Sequence, residues 1–89
     1  MLASLLTEFI GTFIFLSVIL STGDPIAIGL TLAAVIYFGS KVSGGNYNPA
    51  VSFMLFLNKK LDLTKMSMYV LSQLLGAGAA FMYYKLNKL

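Results

Sequence analysis

Asn46, Asn48 and Pro49 stand close together in the stretch SGGNYNPAVSF, Ser43 to Phe53, set between long apolar runs. An asparagine side chain donates and accepts hydrogen bonds without ionising, and a pair of glycines frees the backbone beside it. The chemistry on offer is recognition of small polar molecules by hydrogen bonds. Bond-making chemistry has few candidates: the chain holds no Cys and no His, and its three carboxylates, Glu8, Asp24 and Asp62, are spread far apart. Such a set offers no thiol nucleophile, no paired carboxylates and no metal-ligand cluster, so an enzyme, a metal and a cofactor are not expected. Glu8 and Gln73 are polar residues isolated in apolar stretches. A charge at the centre of a membrane helix costs roughly 2.5 kcal/mol or more, so Glu8 needs a partner. Backbone N–H groups are the expected partners of Glu8, and loop backbone that of Gln73.

These residues need elements to hold them. With 89 residues, 58% of them hydrophobic and 10% charged, and a mean hydropathy of +0.88, the chain carries more apolar surface than one small water-soluble core could hide. The bilayer is the expected solvent. All six basic residues are lysines at the ends of apolar runs and form no stripe, which argues against nucleic acid. Residues 2–21 contain one charge and reach about 30 Å as a helix, the thickness of the hydrocarbon. No basic residue precedes this run, so it reads as a retained span and not a signal peptide. Ser21-Thr22-Gly23-Asp24-Pro25 combines turn residues with a proline suited to a first helical position, and a second helix is expected over 25–41. A third span is expected over 66–84, with Lys85 and Lys88 reaching to the interface behind it.

The segment 43–58 cannot be a fourth crossing. Its glycines and asparagines would expose unpaired amides to lipid, and Pro49 would remove a donor in mid-helix. A helix starting at Pro49 with Asn48 as N-cap and ending near Asn58 is only about 15 Å long, half the apolar thickness. The expected path dips in as loop, turns near the midplane at Asn48-Pro49 and returns as half-helix. Lys41 and Lys59-Lys60 then share one membrane face. Four lysines on that side against two on the other weakly favour an inside N-terminus. Small residues at helical spacing (Ala3, Thr7 and Gly11; Gly29 and Ala33; Gly76 and Ala80) read as close helix contacts, and Tyr83-Tyr84 as an interfacial belt. A half-helix starting in mid-membrane aims its positive dipole end and free N–H groups inward, which suits a neutral polar solute and opposes cations. Asn48 keeps an NH2 free to donate, and the carbonyls of Gly44, Gly45, Asn46 and Tyr47 are candidate acceptors.

These residues carry a resemblance. SGGNYNPAVSF resembles the first Asn-Pro-Ala loop of the aquaporin and glycerol-facilitator family, usually written SGAHxNPAVT. TEFIGTFIFL (Thr7 to Leu16) is similar to that family's first helix, whose glutamate buttresses the loops, and SQLLGAGAA (Ser72 to Ala80) to its third. The resemblance implies an all-α membrane protein, multi-pass, with three transmembrane helices and one re-entrant half-helix: half of an inverted-repeat fold, as a single repeat over 1–89. It also implies a channel for water or small neutral solutes such as glycerol, with Asn48, Pro49 and Ala50 at the pore and Glu8 and Gln73 supporting the loop. Family members carry two repeats whose half-helices meet end to end; this chain has one, so a second repeat is the implied partner, as an inverted homodimer, another chain or a higher oligomer. The usual filter arginine and histidine have no counterpart, since the chain has neither residue. Spacing back from Asn48 places filter positions at Ile28 and Ile36, with Val51 after the Asn-Pro-Ala. An apolar filter without fixed charge implies looser solute discrimination. Two alternatives stay open: a non-conducting membrane interaction protein, and a fragment of a longer channel. The lysines after the third span favour a finished chain over the fragment.

Overall fold

The computed structural model describes residues 1–87, and Lys88 lies outside them. Four helices follow in order: α1 (Leu2–Ser21), α2 (Pro25–Ser43), α3 (Pro49–Leu57) and α4 (Leu63–Asn87). Local chemistry sets their ends. Asp24 caps α2 by accepting the Ile26 N–H at 3.1 Å, with Pro25 in the first turn where its missing donor costs nothing. Gly44, at φ 93°, stops α2 in the left-handed conformation that glycine adopts without strain, and its N–H closes on the Ser40 carbonyl at 3.0 Å. Asn48 caps α3 through the Ala50 N–H at 2.8 Å, again with proline next.

α2 therefore runs two residues beyond the expected Lys41, as far as the glycine that can end it. α4 is longer than the expected 66–84 at both ends. Asp62 is the reason at the start: its Oδ1 accepts the Lys65 N–H at 2.7 Å, drawing the polar turn Leu63-Thr64-Lys65 into the helix.

Burial is inside-out relative to a water-soluble domain. Among the described residues the buried apolar ones are Tyr47, Tyr69 and Ala80, whereas Glu8, Thr12, Ser43, Asn46, Ser52 and Gln73 are buried polar residues, and leucines, isoleucines and phenylalanines along all four helices face outward. Water would penalise that distribution and hydrocarbon would not. By length and composition α1 and α2 are able to cross a membrane, at mean hydropathies of 2.0 and 1.6. α4 does not join them, because Gln73, its serines and its tyrosines dilute the apolar residues.

α1 packs against both α2 and α4, and α3 packs against α4. Gly76 sets the α1–α4 crossing: a Cβ there would lie 2.7 Å from the Phe9 carbonyl oxygen and 3.1 Å from Thr12 Cβ. Higher up, Phe13 and Tyr83 meet edge to face, with ring centroids 5.6 Å apart. Gly76→Leu is expected to force the two helices apart and destabilise the chain by about 1–3 kcal/mol, read as a lower thermal midpoint in detergent. Gly29 and Ala33 depart from the expected packing stripe. Nothing lies within 4 Å of a Cβ built on Gly29, and Ala33 is exposed, so among the described residues that face of α2 is not a contact.

Candidate functional site

Glu8 lies one third of the way along α1, on the face that α2, the loop 44–48 and α4 all approach. It is fully buried, and four donors converge on its carboxylate. Oε2 accepts the Ser43 hydroxyl at 2.7 Å and the Asn46 N–H at 3.0 Å; Oε1 accepts the Tyr47 N–H at 2.7 Å and Gln73 Nε2 at 2.9 Å. One side chain thus ties together the end of α2, the loop and α4. A second hub lies beside it. Ser52 Oγ, on the first turn of α3, accepts Gln73 Nε2 at 2.8 Å and Asn46 Nδ2 at 2.9 Å, which fixes α3 to the same network.

Gln73 differs here from the loop-backbone contact expected of it. Its donors go to two side chains, Glu8 and Ser52, while its Oε1 is buried without a hydrogen-bond partner. Turning the amide over would set that oxygen against the carboxylate, so the electrostatics of Glu8 fix the orientation. Tyr69, one turn earlier on α4, donates its hydroxyl to the Ser43 carbonyl at 2.6 Å and completes the floor.

The loop backbone is shaped by this network. Gly44, Gly45 and Tyr47 all have positive φ, at 93°, 65° and 56°. For a bulky residue such as Tyr47 that conformation is strained and persists only when the surroundings enforce it. The N–H groups of Gly45, Asn46 and Tyr47 turn toward Ser43 Oγ and Glu8. Among the described residues every peptide bond is trans. In a trans peptide the carbonyl points opposite to the following N–H, so the carbonyls of Gly44, Gly45 and Asn46 point away from the network. Among the described residues they accept no hydrogen bond.

Tyr47 is held at its other end too. The ring lies against Gly11 of α1 and Gly39 of α2, where a Cβ on either glycine would overlap it, and the hydroxyl donates to the Val35 carbonyl at 2.6 Å. Beyond the ring, α1 and α2 diverge around a groove of about 590 Å³ lined by residues such as Ile10, Ile14, Leu30 and Phe38. Its two threonines spend their hydroxyls on their own helices, Thr7 on the Ala3 carbonyl and Thr31 on that of Ala27. With both hydroxyls engaged, the groove presents an almost wholly apolar surface.

The remaining candidates occupy distinct places. Asn48 is exposed at the tip of α3, with Oδ1 engaged by the cap and Nδ2 donating to no protein atom among the described residues. Pro49 and Ala50 open α3, and Val51 is half-buried on its first turn. Ile36 lies beside the loop, because a Cβ on Gly45 would come within 3.3 Å of its Cα. Ile28 is half-buried two turns earlier on α2. Ser43, Ser52, Tyr69, Gly11 and Gly39 belong to the same assembly and were not singled out as its parts from sequence. For Tyr69 a signal existed: it stands four residues before Gln73, on the same helical face. Among the described residues no group of His, Cys, Asp and Glu could hold a metal.

Residues 22–88 match the family described as Major intrinsic protein. The chain is 37% identical over 81 residues to "Glycerol uptake facilitator protein-like 6" of Lactiplantibacillus plantarum, and the match covers 81% of this chain and 38% of that protein. It is 38% identical over 89 residues to "Probable aquaporin PIP1-5" of Arabidopsis thaliana, covering 81% of this chain and 31% of the relative. "Aquaporin PIP1-2" of Musa acuminata is 36% identical, with 81% and 34% covered. No solved structure matches the chain. The chain belongs to the major intrinsic protein family. It spans about a third of the length of these curated relatives.

Proposed function

We propose that this chain is a subunit of a membrane channel for the passive transport of water or small neutral solutes such as glycerol, with a pore completed by a second repeat. In this reading α1, α2 and α4 cross the bilayer, and the loop 44–48 with α3 enters and returns from one side. The observation that carries it is the two-sided loop. One side is locked to Glu8 and Ser43, and the other turns away three carbonyls beside a free Asn48 Nδ2. Donor and acceptors in that order can replace the hydration of a polar solute, while the N-terminal dipole of α3 opposes cations. Membership of a family with relatives named aquaporin and glycerol uptake facilitator supports the same reading.

α3 has nine residues and extends about 13 Å, too short to span the hydrocarbon. One copy therefore supplies half a pore. We infer an inverted pair, in which each mouth presents Ile28, Ile36, Gly45 and Val51. That filter is apolar and carries no fixed positive charge, so it discriminates less among solutes than an arginine-bearing one.

Asn48→Asp tests the placement. A carboxylate at the start of α3 is expected to abolish most neutral-solute flux in reconstituted vesicles or to open a cation leak. Unchanged transport by the variant would show that the residue is not at the pore. The contrasting reading, a non-conducting protein that keeps this fold and modulates a longer relative, predicts no transport without that partner.

A further inference from the structure

The turn between α3 and α4 carries Lys59, Lys60 and, one helical turn on, Lys65, and conduction makes no use of them. Its backbone is closed on itself. The Asn58, Lys59 and Lys60 N–H groups reach the Met54, Phe56 and Leu55 carbonyls at 2.9, 3.0 and 2.9 Å, and Lys59 takes a positive φ of 63° to do so. The three ammonium groups are therefore not needed to cap α3. Among the described residues none of them meets a carboxylate or a carbonyl, and Lys65 Nζ lies 5.8 Å from the Tyr69 ring centroid. Asp62 is the single acid in the segment; its Oδ1 accepts the Lys65 N–H, and its one negative charge leaves the three lysines in excess. Met54 and Leu57 before the turn and Leu63 after it are exposed apolar side chains. Cations in excess of acids, flanked by outward-facing apolar residues, match the chemistry of the headgroup and acyl boundary.

We propose that the α3–α4 turn is a binding surface for anionic phospholipid headgroups, with Lys59, Lys60 and Lys65 holding the phosphate and Leu57 and Leu63 resting on the acyl chains. The inference rests on residence in a bilayer and not on transport, so a chain that conducts nothing would still show it.

The full chain is reconstituted in phosphatidylcholine vesicles, and the motionally restricted fraction of spin-labelled phosphatidylglycerol is compared with that of spin-labelled phosphatidylcholine by electron paramagnetic resonance. At low salt the anionic lipid is expected to associate about fivefold more strongly, the worth of roughly one lysine at a membrane surface. The preference should fall steeply as sodium chloride is added, collapse in Lys59→Gln/Lys60→Gln/Lys65→Gln, and survive in Lys85→Gln. Equal restriction of the two lipids by the unaltered chain, or a preference indifferent to salt, overturns the proposal without any variant having to fold. A preference that persists in the triple variant also overturns it. Inorganic phosphate at matched ionic strength should leave the preference intact, and abolition by phosphate would identify a soluble-anion site instead of a lipid one.

Discussion

Glu8→Ala is expected to destabilise the chain more than any other single truncation, by about 3–5 kcal/mol, with the thermal midpoint of helix loss in detergent falling accordingly. The magnitude follows from what is left behind. The Ser43 hydroxyl, the Asn46 and Tyr47 N–H groups and Gln73 Nε2 all point at the carboxylate from buried positions, and only the Gln73 and Ser43 side chains have rotamers to escape by. Each stranded donor costs on the order of 1–3 kcal/mol, and the costs do not add fully because the loop relaxes as a unit. Glu8→Gln is expected to fall in between. It keeps one acceptor oxygen but sets an NH2 against two of the donors. That variant should damage folding more than conduction, so a well-folded Glu8→Gln chain that is silent in transport would contradict the structural role.

The second large effect lies at the Tyr47 seat, where a double substitution separates two contacts. Gly39→Ala is expected to destabilise by about 1–3 kcal/mol, because its Cβ overlaps the Tyr47 hydroxyl, which the Val35 carbonyl holds in place. Tyr47→Phe removes that hydroxyl at a cost of about 1 kcal/mol for the lost hydrogen bond, and the double variant should recover much of the Gly39→Ala loss. Gly11→Ala should behave differently. There the Cβ meets ring carbons, Cε1 and Cδ1, which phenylalanine retains, so Tyr47→Phe gives no rescue. The paired midpoints check the geometry: equal rescue at both glycines, or at neither, would mean the ring sits elsewhere.

Glu8 was legible because a charge in an apolar helix needs partners wherever the helix lies. Its neighbours were not. Ser43 and Ser52 read as ordinary small polar residues until α2, α3 and α4 are brought together, and the Tyr47 seat joins positions 11, 35, 39 and 47, a non-local contact with no local pattern. The small-residue stripes show the limit of periodicity. Spacing marks Gly29 and Ala33 as readily as Gly76 and Ala80, yet it carries no information about which face meets a neighbour, and Gly29 has nothing against it. Pro49 and Asn48 were legible as a helix start because capping is local chemistry. The same chemistry at Asp62 lies outside the apolar span expected over 66–84, so α4 begins three residues before that span.

Transport by this chain requires that one repeat, present in many copies, assemble a conducting pore. Stopped-flow osmotic shrinkage of liposomes reconstituted with this chain alone, beside protein-free vesicles and with glycerol uptake run in parallel, measures that directly. Fast flux of water or glycerol with a low activation energy is the predicted result. Background flux from a chain shown by circular dichroism to be folded would contradict it.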